Sequence, residues 1–263
     1  MARSRSAQVK RTAKHWLRRG GLEVARAGRG PRRSLEDVLA QARKLGVAPA
    51  TVVDVGVAAG TPELYEAFPE AELLLIEPMQ EWRAQLEAMS RPARVHVEIA
   101  AAGPSAGELT LHVHRVPACS SVLGARAWDG EQPRARSVPV AAIDTLVELH
   151  GFKAPYLVKV DVEGAELDVL AGATRTLERT DLLLLEVSLF QLVPSGPQFG
   201  EVVCALRELG WSVYDIYNGH LRPLDGALAQ VDLAFAHDDG PLRARHDYAT
   251  PEQADRLYRS WGH

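Results

Sequence analysis

The chain has only two cysteines, Cys119 and Cys204, far apart and with no CxxC or Cys–His spacing around either. That excludes a disulfide scaffold and a cysteine-based zinc site. It leaves two buried thiols in a reducing, cytoplasmic setting as the expectation. Long apolar runs are missing too. The longest strongly apolar run, 182–185, is bounded by Asp181 and Glu186, far short of the roughly 20 apolar residues of a spanning helix. The first residues lack the apolar core of a secretory signal peptide, although their composition does not exclude an Arg-rich organelle transit peptide. A soluble protein without a membrane span is expected. No internal repeat is present.

What the chain does have is material for a core. Of its 263 residues, 46% are apolar, which excludes wholesale disorder, and the length suits one large α/β domain or two small ones. The net charge of −4, from 30 basic and 34 acidic residues, hides a split. Residues 1–33 carry eleven basic side chains and one acid, Glu23; the remainder holds 19 basic and 33 acidic residues. The front is either a basic arm for nucleic acid or another anionic surface, or a charged helix laid against an acidic body. Val9, Ala13, Trp16 and Leu17 would share one helical face within it. The expected organisation is a basic extension, 1–33, followed by one domain, 34–263.

Ser34-Leu35-Glu36-Asp37 reads as a helix start, with a capping hydroxyl and an acid at the third helical position. Leu35, Val38, Leu39, Ala42 and Leu45 form the apolar stripe, and Gly46 stops it. Beyond it, β-rich runs at 51–55, 72–77, 94–99, 156–162, 182–187, 211–217 and 231–236 alternate with helical patterns at 63–68, 79–89, 165–177 and 199–209. Buried strands alternating with helices predict an α/β fold, a mostly parallel seven-stranded sheet with helices on both faces. The 103–150 stretch interrupts this with strand-like pieces at 108–114 and 137–143 and a short helix opened by Asp144. A small β insertion therefore precedes the fourth main strand. Thr250-Pro251-Glu252-Gln253 is a second capping box, and the Ala254, Leu257, Tyr258 and Trp261 stripe behind it predicts a docked terminal helix.

The segment 51–60, TVVDVGVAAG, leaves a strand and enters a helix. Its small residues at 56 and 58–60 let the backbone turn tightly and approach a ligand, though a plain strand–helix turn would also account for Gly56 and Gly60. The dinucleotide fingerprint GxGxxG is lacking, and Asp54 ahead of the turn would repel a phosphate. That acid suits a cationic, amino-acid-bearing ligand. The next strand ends in Ile76-Glu77-Pro78, where an acid can take both hydroxyls of a ribose. S-Adenosylmethionine, with a sulfonium, an ammonium and an adenosine, fits both features.

The most distinctive segment is 156–173, YLVKVDVEGAELDVLAGA. Lys159, Asp161 and Glu163 alternate and would share one face near a strand's C-terminal end, where open α/β sheets hold ligands. Three ionisable groups on an internal strand are costly unless they pair or serve a site. Here the sequence resembles the FkbM-type S-adenosylmethionine-dependent methyltransferase family. The resemblance rests on Lys159-Val-Asp161-Val-Glu163-Gly164-Ala165-Glu166 with Gly172, and on Asp54-Val-Gly56 with Gly60. Ile76-Glu77-Pro78, Ser120-Ser121, Ile143-Asp144-Thr145-Leu146 and Leu184-Leu185-Glu186-Val187 extend it over about 50–190. One departure is Ala58, which stands where the family's loop commonly has asparagine.

The resemblance implies a class I methyltransferase (Rossmann-like) fold. It also implies methyl transfer from S-adenosylmethionine, usually to a hydroxyl of a sugar, polyketide or related secondary metabolite. On that basis Asp54, Gly56, Ala58, Gly60, Glu77, Pro78, Ser121 and Asp161 are the expected cofactor-binding residues. An alcohol must also lose its proton, to a general base or by metal acidification. Asp161, Glu163 and Glu186 are the catalytic candidates. No metal is assigned; Mg2+, if used, would take those same three carboxylates. Glu166 and Asp168 read as solvated helix charges, and no histidine has a distinctive spacing. Loops 188–200 and 218–229, with 237–249, are expected to wall the acceptor site. The expected partner is a small hydroxylated acceptor; a homodimer is left open. Two alternatives stand beside this: a nucleic-acid methyltransferase using 1–33 as a phosphate-tracking arm, and a non-catalytic methyltransferase-like binding protein. The lack of Asn/Asp-Pro-Pro-Tyr after the fourth strand counts against the first.

Overall fold

The computed structural model describes residues 32–89, 95–115, 120–124 and 134–261. The chain divides into two units, Met1–Arg32 and Arg33–His263, and every element described belongs to the second. The apolar stripe from Val9 to Leu17, Cys119 and the side chain of Trp261 lie outside the described residues.

In chain order the strands are β1 (Thr51–Val55), β2 (Glu72–Ile76), β3 (Val95–Glu98), β4 (Ala101–Ala102), β5 (Gly107–Val113), β6 (Arg134–Ala141), β7 (Tyr156–Val160), β8 (Thr180–Ser188), β9 (Trp211–Leu221) and β10 (Leu228–His237). The helices are α1 (Leu35–Lys44), α2 (Pro62–Ala67), α3 (Arg83–Ala88), α4 (Ile143–His150), α5 (Glu166–Ala171), α6 (Thr174–Leu177), α7 (Phe199–Glu208) and α8 (Pro251–Trp261). No described helix is long and apolar enough to cross a membrane.

Seven strands form one sheet in the order β3-β2-β1-β7-β8-β10-β9. Strands β3, β2, β1, β7 and β8 run parallel, and β10 enters antiparallel between β8 and β9. This is the mostly parallel seven-stranded sheet that was expected. Its winding diverges from the β1–β7 pair, which opens a crevice at the C-terminal ends of those strands. Both faces are covered, so β1 and β7 are buried almost throughout rather than alternately, and Asp54 and Lys159 are polar exceptions near their C-terminal ends. Val53, Val55, Val158 and Val160 pack with Leu146, Val169 and Val202 on one side; Val52, Leu157 and Leu184 pack with Leu39 and Leu64 on the other. Strands β4, β5 and β6 form a separate three-stranded sheet; β5 and β6 are the strands of the expected insertion, and β4, just before it, adds a third that was not expected.

Local chemistry explains where elements begin and where expectation fails. Ser34 Oγ accepts the Asp37 N–H and starts α1, but Leu45 is exposed because it is the C-cap, beyond the last turn. Asp144 does not open α4, whose N-cap is Ala142. Its carboxylate instead accepts the Thr176 N–H and hydroxyl at 2.8 and 2.7 Å and the Arg175 N–H at 3.0 Å, capping α6. The helix expected over 165–177 breaks into α5 and α6 at Gly172. A Cβ there would overlap the carbonyl oxygen of Gly103, so the glycine admits the insertion's backbone.

Two burial expectations fail. Cys204 is exposed, because α7 buries Val202 and Leu206 and residue 204, midway between them, points the other way. Helix α8 starts with the expected box: Gln253 N–H donates to Thr250 Oγ1 and Thr250 N–H to Gln253 Oε1. Yet none of residues 251–260 is buried. Leu257 is the one aliphatic side chain longer than alanine in its described stripe, too little apolar area to seat the helix.

Candidate active site

At the end of β1 the chain turns through Gly56, φ +74°. A side chain there would strike the carbonyl oxygen of Asp161, whose own N–H donates to Val55 O at 3.0 Å. The glycine loop and the end of β7 are thereby in backbone contact. Ala58 follows at φ +43°, a left-handed conformation that a Cβ makes costly.

Glu77 lies just past β2 and is 4% exposed. Its Oε2 accepts the Ala58 N–H and its Oε1 the Met79 N–H, each at 2.8 Å. Burial pushes its carboxyl pKa up; the two N–H bonds oppose the shift without cancelling it. Each oxygen retains a second acceptor position. Around these groups opens a cleft of about 620 Å3, continuous with solvent. Gly56, Asp161 and Glu163 line it, and so do Met79, Trp82, Leu111 and Val122, which pack in one apolar slab. The insertion supplies the last two. Arg136 of β6 also clamps Glu81 beside the slab, donating to both carboxylate oxygens at 2.6 and 2.7 Å.

Beside the cleft, one cation serves two acids. Lys159 donates to Asp161 Oδ2 at 3.1 Å and lies 3.7 Å from Asp54 Oδ1. Burial alone would lower the ammonium pKa, but Asp161 and Asp54 outweigh it and hold it above the ordinary lysine range. Asp54 is wholly buried, and its Oδ2 accepts the Tyr65 hydroxyl at 2.7 Å. Burial, then the Asp54 charge, pushes the Tyr65 phenol far above its usual range, so it remains a donor. Asp232 on β10 accepts from Asn218 Nδ2 at 2.9 Å; burial pushes its pKa up.

Of the sequence-derived site residues, Gly56, Ala58, Glu77, Pro78, Asp161 and Glu163 line the cleft; Asp54, Gly60, Ser121 and Glu186 do not. Asp54 is taken up by Lys159 and Tyr65, and Gly60 packs against Met89. Ser121 is 1% exposed, donates to the Glu163 carbonyl at 2.8 Å and accepts the Leu123 N–H at 3.2 Å. Its neighbour Ser120 faces the cleft, as alternation along an extended segment requires. Glu186 is not a strand tip: β8 continues to Ser188, and Glu186 accepts from Gln230 Nε2 at 2.6 Å.

The shared strand face for Lys159, Asp161 and Glu163 does not form. Strand β7 ends at Val160, and Glu163 turns left-handed at φ +55°. The trio Asp161, Glu163 and Glu186 is therefore not gathered as the Mg2+ donor set named above; among the described residues no group of three or more His, Cys, Asp or Glu is placed to hold a metal ion. Asp168 is exposed as expected, but Glu166 is not a solvated charge. It is 4% exposed, its Oε1 accepts the Gly164 N–H at 2.8 Å, and burial pushes its carboxyl up to about 7.

Two of the expected acceptor walls are joined, since Arg222 stacks over the Phe190 ring at 3.9 Å. The third, 237–249, starts at the opposite edge. Because β10 runs antiparallel, its end returns to where β7 and β8 begin, and His237 and Gly240 share a depression with Pro155 and Thr180. The apolar slab escaped sequence reasoning because Met79, Trp82, Leu111 and Val122 look like ordinary core residues.

Residues 54–213 match the methyltransferase FkbM domain, more than half of the chain. Among solved structures, the chain is similar to a methyltransferase FkbM from Methylobacillus flagellatus KT, at 17% identity and TM-score 0.44, over 70% of this chain and 43% of that one. This chain thus spans less than half the length of that protein. It is also similar to magnesium protoporphyrin IX methyltransferase (ChlM) from Synechocystis PCC 6803, solved with bound S-adenosylmethionine (12% identity, TM-score 0.41, 77% of this chain and 76% of that one). A third similarity is to the mitomycin 7-O-methyltransferase MmcR, at 16% identity and TM-score 0.38, over 76% of this chain and 53% of that one. No curated protein matches the chain.

Proposed function

Because the chain belongs to the methyltransferase FkbM domain family, we propose that it transfers a methyl group from S-adenosylmethionine to a hydroxyl oxygen of a small molecule such as a sugar, a polyketide or a related secondary metabolite. The observation that carries this reading is Glu77, a buried carboxylate lining a cleft that the apolar slab also lines. An acceptor for ribose hydroxyls thus stands beside a slab suited to a purine ring.

The residues fit such a ligand. A concave lining that is mostly apolar with a few convergent polar groups suits a small molecule of this class. Glu77 keeps acceptor capacity after its two N–H bonds, and Gly56 leaves the backbone open to close approach. Glu77 and Pro78 would hold the ribose, the backbone at Gly56 and Ala58 the amino-acid part, and Met79 and Trp82 the ring. When bound, S-adenosylmethionine supplies an electrophilic methyl group on a sulfonium.

The chain's own part is positioning, which supplies much of the acceleration in such transfers, together with a proton acceptor. We assign positioning to Asp161, held by Lys159, and acceptance of the acceptor's hydroxyl proton to Glu163. Glu186, held by Gln230 and away from the cleft, has no assigned role. The test is calorimetric titration with S-adenosylmethionine, followed by a screen of small hydroxylated acceptors, with tRNA and duplex DNA as further arms, read by formation of S-adenosylhomocysteine. Binding with turnover on a small alcohol is expected. Absence of binding would overturn the enzyme reading, and turnover confined to a nucleic acid would overturn the acceptor class.

A further inference from the structure

We propose that Glu166 is a positioning residue for the cofactor cleft, its buried carboxylate setting the turn from Asp161 to Gly164 through the Gly164 N–H. The inference rests on the S-adenosylmethionine reading above.

The turn needs holding. Glu163 and Gly164 are left-handed in succession, at φ +55° and +101°. A side-chain-bearing residue is strained in that conformation, which persists only where the surroundings over-determine it. Three contacts do so. Glu166 Oε1 accepts the Gly164 N–H at 2.8 Å, and Ser121 Oγ donates to the Glu163 carbonyl at 2.8 Å. Val193 and Leu123 close on Gly164 and leave no room for a Cβ. Asp161 and Glu163 both line the cleft, so slack in this turn displaces both at once.

Of the three contacts, Glu166 supplies the ionisable one, and a carboxylate grips an N–H more strongly than a neutral carboxyl does. Burial first, then the charges of Asp161 and Glu163, raises its titration to about 7 against the opposing Gly164 N–H bond. The neighbours that close on the turn from facing loops, Leu123, Val193 and Gly196, carry no charge. Falling pH therefore weakens the grip on Gly164 near neutrality, and cofactor affinity falls with it. Fold stability moves the other way. The folded pKa lies above the unfolded value, so this group's stabilisation is complete below the ordinary glutamate range and is lost as pH rises through about 7.

The experiment measures S-adenosylhomocysteine affinity and thermal unfolding for the full chain and its Glu166→Gln and Glu166→Ala variants, from about pH 5.5 to 8.5. The wild type should lose about threefold or more in affinity toward the acid end while gaining stability. Glu166→Gln keeps an acceptor oxygen but no charge; it should bind like the low-pH wild type, with the Glu166 part of both slopes removed. Glu166→Ala should bind about tenfold more weakly than the high-pH wild type, roughly one hydrogen bond's worth, with the Glu166 part of the pH slope gone. A folded Ala variant with wild-type affinity, or a Gln variant with unchanged slopes, overturns the proposal, and the Gln result decides if the Ala variant does not fold. Failure of the wild type to bind would instead overturn the cofactor reading, and this inference with it.

Discussion

A Cβ added to Gly56 would overlap the carbonyl oxygen of Asp161, so the glycine loop after β1 and the turn after β7 meet at a contact that admits no side chain. The two most recognisable motifs of the sequence are one structural unit.

Gly56→Ala should therefore cost both stability and binding. The left-handed conformation contributes about 1–2 kcal/mol and the overlap about 1–3 kcal/mol. Gly226 is the control: its φ of +75° is almost the same, but nothing lies within 4 Å of an added Cβ. Gly226→Ala should pay the conformational cost alone. Equal losses in urea unfolding would show that the contact with Asp161 carries no weight.

Glu77→Ala should weaken S-adenosylhomocysteine about 10- to 100-fold, as expected for a lost acceptor of charge-assisted bonds. Glu77→Gln should be nearly as harmful. Ala58 N–H and Met79 N–H each use a different carboxylate oxygen, and an amide offers only one oxygen. Calorimetry showing the Gln variant within about twofold of wild type would refute this use of both oxygens.

Ala58→Gly should stabilise the fold. Relief of the left-handed alanine gains about 1–2 kcal/mol, and the greater freedom of glycine in the unfolded chain takes back about 0.4–1 kcal/mol. A net gain near 0.5–1 kcal/mol, a rise of about 1–4 °C in Tm, is expected. A fall in Tm would mean that the methyl group makes contacts worth more than the strain.

Lys159→Met should be the most damaging of these changes, about 3–5 kcal/mol, because it leaves Asp54 and Asp161 without their shared cation. Denaturant unfolding measures the loss. Acidification should restore part of it, since protonation relieves the two stranded carboxylates. A loss below about 1 kcal/mol would mean that water already serves these groups.

Much of the site was legible because its signals are local. Glu77 ends a short apolar strand, and its place at the cleft follows from the strand alone. Glu166 shows the opposite case. Its neighbours in sequence are those of a helix start, and only the fold buries it and sets it on the N–H of Gly164, a turn on which Leu123, Val193 and Gly196 close. Glu186 looked like a strand tip because the apolar run stops there, but pairing with β10 carries β8 two residues further.

The alternation of strands and helices, the insertion, the two glycine turns and the acids at the ends of β1, β2 and β7 were legible in the order of residues alone. Periodicity, capping and φ requirements act over a few residues and need no partner. Tertiary structure decided which acids meet the cleft and which are spent elsewhere: Asp54 on Tyr65 and Lys159, Glu186 on Gln230, Glu166 on Gly164. Desolvation and pairing depend on groups far apart in the chain, and a carboxylate's role is set by whichever partner the fold brings within hydrogen-bond reach.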